Sequence, residues 1–123
     1  MQQLETKKQA RQSLAWIGQV VSGVLLIVIV LLHLYFQHFA AQGLLNAGEV
    51  VAHVSSPLIF TLEVLFVIVV TYHALLGIRA VIFDLSLSEA TRRNISVGLT
   101  ILGVATVVYG VILAILIQSQ ALA

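Results

Sequence analysis

His73 is the side chain in this sequence with the most chemistry to offer. It lies in an apolar run, Tyr72-His73-Ala74-Leu75-Leu76-Gly77-Ile78-Arg79-Ala80-Val81-Ile82-Phe83-Asp84. On a helix turning ~100° per residue, Asp84 returns to within ~20° of His73, and Gly77 lies ~40° from the same line. One helix face would then carry an imidazole, a position without a side chain, and a carboxylate. Neutral imidazole is a strong ligand for iron. The gap at Gly77 is where the edge of a flat cofactor such as haem would pass. Arg79 falls on another face, where it can snorkel to lipid headgroups or reach a haem propionate.

Other polar groups stand in the same kind of surroundings. Ser22 and His33 are also eleven residues apart and share a face, with Gln19 ~40° from that line. Polar residues at membrane depth are expensive and so are candidates for function. Plainer roles are open to each. A histidine in such a place more often hydrogen-bonds to a neighbouring helix than binds metal. His33 and His38 fit interfacial positions, and His53 fits a loop. Glu63 lies ~80° around from His73 and is expected neutral and hydrogen-bonded inside a bundle. The sharper reading of Glu63 is a proton-coupling site in a small transporter subunit. Gly103, Thr106, Gly110 and Ala114 line one side of the last apolar segment, where small residues let helices approach closely.

The elements that position these residues follow from composition. Of 123 residues, 60% are hydrophobic and 9% charged, against about 25% charged in a typical soluble domain. A core this small could not bury so many apolar side chains, so lipid must meet much of the surface. The net charge of +1 gives no reason to expect nucleic acid as a partner. The absence of cysteine excludes disulfides, thiolate metal sites and haem attached through paired cysteines. No Lys, Arg, Asp or Glu occurs from Gln12 to Gly48 or from Asn94 to Ala123, and Glu63 is the one such residue from Val50 to Ile78. Each stretch exceeds the ~20 residues that cross a bilayer as a helix.

The expected fold class is therefore all-α, a bundle of three transmembrane helices forming a single membrane domain. The spans are placed at about Leu14 to Phe39, Pro57 to Leu85 and Ile95 to Gln118. A short surface helix is expected around Leu44 to His53, with Ser55, Ser56 and Pro57 as the start signal of the second span. Lys7, Lys8, Arg11, Arg79, Arg92 and Arg93 all fall on one side in this arrangement. The positive-inside bias puts that side, with the N-terminus, in the cytoplasm and the C-terminus outside. Trp16 and Tyr35 then fall near the inner and outer interfaces. Counting from these span ends puts His33 and His73 ~12 Å apart in depth. They could not share one iron; each would need a second histidine from a partner chain.

The run from Tyr72 to Asp84 resembles the second transmembrane helix of the membrane anchor subunits of succinate dehydrogenase and fumarate reductase. The family pattern is His, then Gly four residues on, often Ile-Arg, and Asp eleven after the His. Gln19-Val20-Val21-Ser22-Gly23 resembles the Arg-Val-Ser-Gly segment of the family's first helix. Chain length, three spans and a short basic N-terminal tail agree as well. The resemblance implies a non-catalytic anchor that holds flavoprotein and iron–sulfur subunits to the cytoplasmic membrane of a prokaryote, beside a second anchor subunit. It implies one or two b-type haems shared with that partner anchor, with His73 as an axial ligand to the haem iron and His33 as the ligand of a second, distal haem. Arg79 would serve the cofactor, and Asp84 and Ser22 would lie near the quinone that receives the electrons as substrate. Two positions depart from the pattern. Val20 stands where the family has Arg, and Leu85 where some members have Tyr, so the partner anchor is expected to supply more of the quinone pocket. A structural subunit of another respiratory complex, with histidines that only pack, is a further reading of the same residues.

Overall fold

The computed structural model describes residues 1–39 and 46–123. Helix α1 spans Gln2–Leu34 and runs on into a π-helical turn at Tyr35–Phe39. Helices α2 (Ala47–Val54), α3 (Pro57–Phe83) and α4 (Glu89–Leu122) follow. Leu44 and Leu45, expected to open the short surface helix, lie outside the described residues.

α2, α3 and α4 each begin at a start signal in the sequence, whereas α1 has no side-chain cap. Asn46 caps α2 through a reciprocal pair: its Oδ1 accepts from Glu49 N at 2.9 Å, and Glu49 Oε2 accepts from Asn46 N at 2.8 Å. Pro57 opens α3 in the first turn, where its missing N–H costs nothing. Ser88 caps α4 by accepting from Thr91 N at 3.2 Å. Because of that cap α4 begins at Glu89, ahead of the expected Ile95, and Arg92 and Arg93 are helical. At the other end of the chain, α1 starts at Gln2 rather than Leu14. Its first turns are rich in Gln, Lys and Arg, which form helix readily in water. α3 stops at Phe83, with Asp84 as its C-cap.

α3 is the middle helix. It packs antiparallel against α1 on one side and against α4 on the other, and α2 rests on α4 and α3. Its apolar residues run all round the helix, as expected for an element flanked by two neighbours and lipid. Small residues set the close approach to α4. A Cβ on Gly103 would collide with Leu75, and one on Gly110 would sit 2.7 Å from Val67 Cγ1. Thr106 points elsewhere, its hydroxyl bonded to Leu102 O at 2.8 Å.

Very little of the chain is shielded by the chain itself. Ser22, Ile29, Val54, Ile59 and Gly103 are the buried residues among those described. Leu, Ile and Val side chains cover the outside of all three long helices. All three are long and apolar enough to cross a membrane. A surface of this kind is stable only against acyl chains or other apolar protein. The chain is an integral membrane protein with three apolar spans.

Candidate functional site

The antiparallel contact of α1 and α3 decides what surrounds His73. Its Nδ1 lies 3.1 Å from Ser22 Oγ. Ser22 is 5% exposed, buried on the α1/α3 seam, and its hydroxyl also donates to Gln19 O at 3.1 Å. A hydroxyl has one proton to give. Both contacts form at once if Oγ gives its proton to Gln19 O and accepts from Nδ1–H, the tautomer with its lone pair on Nε2; in the other tautomer Oγ donates to Nδ1 and gives up Gln19 O. Gly23 makes the approach possible, because a Cβ there would come within 3.2 Å of His73 Cε1.

Gly77 is not an open notch. The position its Cβ would take is 3.3 Å from Gln19 Nε2, so the Gln19 side chain occupies the space above it. The sequence shows a missing side chain at 77 but not which neighbour fills the gap, and here α1 fills it. Gly77 itself adds no side chain there; what stands over it is the flexible end of Gln19. Gln19 Oε1 is buried with no hydrogen-bond partner among the described residues. A buried acceptor left open marks a place that another component or a water completes.

The other expected residues fall into two groups. Arg79 and Asp84 stand near the end of α3 that carries the basic residues. Arg79 lies over the Phe83 ring at 4.9 Å, and Arg92 lies over the same ring at 5.6 Å. Asp84 is exposed. The sequence did not single out Arg92, since the turn between α3 and α4 that brings it to Phe83 leaves no periodic signal. His33 stands far from this end. Ser22, level with His73, is eleven residues before His33 on α1, which is ~16 Å along the helix. The separation exceeds the ~12 Å read from span ends, because direct contacts between helices fix the register and guessed ends do not. His33 meets Glu63, which also accepts from Gln37, and Gln37 was missed because nothing in the sequence marks a glutamine near a span end. His38 is exposed, and His53 is half-buried on α2 rather than in a loop.

Among the described residues no group of three or more His, Asp or Glu side chains is placed to hold a bare metal ion. A porphyrin brings its own four equatorial nitrogens, so an axial site asks one imidazole of each chain. The surroundings of His73 fit that demand: an Nδ1 held by Ser22, an Nε2 outside any hydrogen bond among the described residues, and an open buried acceptor nearby.

Comparison with known proteins bears on the whole chain. Residues 3–118 match the succinate dehydrogenase/fumarate reductase transmembrane subunit family. The succinate dehydrogenase hydrophobic membrane anchor subunit of Thermoplasma acidophilum is 32% identical over 114 residues, 92% of this chain and 93% of that protein. The protein of the same description from Archaeoglobus fulgidus is 30% identical over 113 residues, 92% of this chain and 97% of that one. No solved structure matches. The match favours an anchor over a proton-coupled transporter built on Glu63. The chain belongs to the succinate dehydrogenase/fumarate reductase transmembrane subunit family, as a non-catalytic membrane anchor subunit of a larger enzyme complex.

Proposed function

We propose that this chain is a haem b-binding anchor of a succinate:quinone oxidoreductase, with His73 as an axial ligand. The observation that carries the reading is the Ser22–His73 contact, which holds Nδ1 and leaves Nε2 outside any hydrogen bond among the described residues. Ligating histidines characteristically have their other nitrogen held in this way. Haem b would be held by His73 together with a residue of a second anchor subunit. Bound there, haem b supplies a one-electron redox centre beside the path from iron–sulfur clusters to quinone. This chain's own part is to hold, orient and tune it.

His33 is the proposed ligand for a second haem, at a level too far along α1 to share an iron with His73. Arg79 and Arg92 supply cations at the end of the bundle where propionates or the soluble subunits would arrive. Asp84, exposed at that end, is the proposed quinone-side residue, with Ser22 acting mainly through His73. The excess of basic residues assigns that end to the cytoplasm, in the cytoplasmic membrane of a prokaryote. Flavoprotein and iron–sulfur subunits dock on it.

Purification of the complex through a tag on this chain tests the reading. A covalent-flavin subunit should co-purify, and the haem count should be two per complex, falling to one in His33→Ala. A complex free of flavoprotein would refute the anchor assignment, and a count of one in the intact enzyme would remove His33 as a ligand.

A further inference from the structure

At the end of the bundle away from the arginines, His33, Gln37 and Glu63 form a second polar cluster between α1 and α3. Glu63 Oε1 lies 3.2 Å from His33 Nδ1 and accepts a 2.7 Å hydrogen bond from Gln37 Nε2. Phe66 stacks on the imidazole, with centroids 5.2 Å apart and planes 22° from parallel. Gln37 Nε2 has only N–H groups to offer, so Oε1 is the accepting oxygen. With Glu63 as a carboxylate rather than the neutral acid expected from sequence, Oε1 can only accept, so His33 Nδ1 donates to it and the lone pair is on Nε2.

Two further facts single out this cluster. Glu63 is the one charged residue between Val50 and Ile78, and an ionisable group at membrane depth is costly enough to need a reason. The α-helix also gives way to a π-helical turn at Tyr35–Phe39, two residues after His33, and that turn contains Gln37. Such turns are rare and often accompany functional sites.

We infer that Glu63, braced by Gln37, is the positioning residue of His33: it locks the ring, fixes the tautomer and places a carboxylate behind the ligand. The inference rests on the proposed ligation by His33 and goes beyond it. It also separates the two ligand positions by chemistry. Behind His73 stands a neutral hydroxyl, and behind His33 a carboxylate. A carboxylate partner makes an imidazole a more basic ligand and so favours the more positive, oxidised iron. The His33 site should therefore hold its electron less tightly than the His73 site.

The test is a redox titration of the purified complex, followed through the haem absorption bands and by electron paramagnetic resonance, for wild type, His33→Ala, Glu63→Gln and Glu63→Ala. His33→Ala should remove one haem. Glu63→Gln keeps an acceptor oxygen, so both haems should remain. The midpoint of the His33-dependent haem alone should then rise, by about 59 mV for each tenfold selective loss of affinity for the oxidised form. Glu63→Ala removes the acceptor as well and should weaken that haem about 10–100-fold. Suppose His33→Ala removes a haem while neither Glu63 variant changes its midpoint, resonance or occupancy. The positioning role is then overturned and ligation by His33 stands. If His33→Ala leaves the haem count unchanged, ligation by His33 falls and the inference falls with it.

Discussion

Replacing Ser22 with alanine removes one oxygen from the α1/α3 seam and leaves the backbone to carry on as before. In the native chain that oxygen is the hydrogen-bond partner of His73 Nδ1 at 3.1 Å and also reaches Gln19 O. Ser22 is almost fully buried, so no water stands ready to replace it. A buried donor left without a partner costs about 1–3 kcal/mol, or about 5–150-fold in an equilibrium constant. The same range arises from another direction, since loss of a ligand's outer partner typically costs about 10–100-fold in metal affinity. Ser22→Ala should therefore release the His73 haem some tens of times more readily to an excess of apomyoglobin, with a matching loss of occupancy in dilute enzyme. Ser22→Thr keeps the hydroxyl and should recover most of the affinity. Gly23→Val disturbs the same ring from the other side, since even a Cβ there would meet His73 Cε1 at 3.2 Å. An alanine variant whose haem transfers at the wild-type rate, in a complex of unchanged stability, would refute the claim that Ser22 orients the ligand.

Other consequences follow from the packing. Gly110→Leu forces a side chain against Val67 and should destabilise the α3/α4 pair by about 1–3 kcal/mol, measured as a lower midpoint in thermal unfolding of the detergent-solubilised complex. Asn46→Ala removes the capping pair of α2, a helix of eight residues. It should cost about 1 kcal/mol and show as faster amide exchange over Ala47–Val54. The chain contains no cysteine, so single cysteines placed at Gln3 and at Gln120 report topology cleanly. Membrane-impermeant maleimide should label only Gln120→Cys in intact cells, and the reverse pattern would overturn the assigned orientation.

What could be read in the sequence was what depends on one helix at a time. The three spans are set by long stretches with at most one charge, and the Pro57 start of α3 by local turn chemistry. The shared face of His73 and Asp84 is helical arithmetic. What escaped depends on how one helix meets another. Nothing in the order of residues says that Ser22 faces His73, that Gln19 fills the space over Gly77, or that Glu63 reaches across to His33 and Gln37. Those contacts come from the register of α1 against α3, which side-chain packing sets. The polar helix starts were missed for a simpler reason. Hydropathy marks where a helix enters lipid, whereas Ser88 and the residues after Gln2 carry α4 and α1 on into water.

The most direct measurement is a reduced-minus-oxidised difference spectrum of the intact complex carrying His73→Ala, set beside a haem count and a check that all subunits remain assembled. Loss of one b-type haem band from an assembled complex is the result expected if this imidazole grips the iron. Full retention of every haem band in that variant would contradict it.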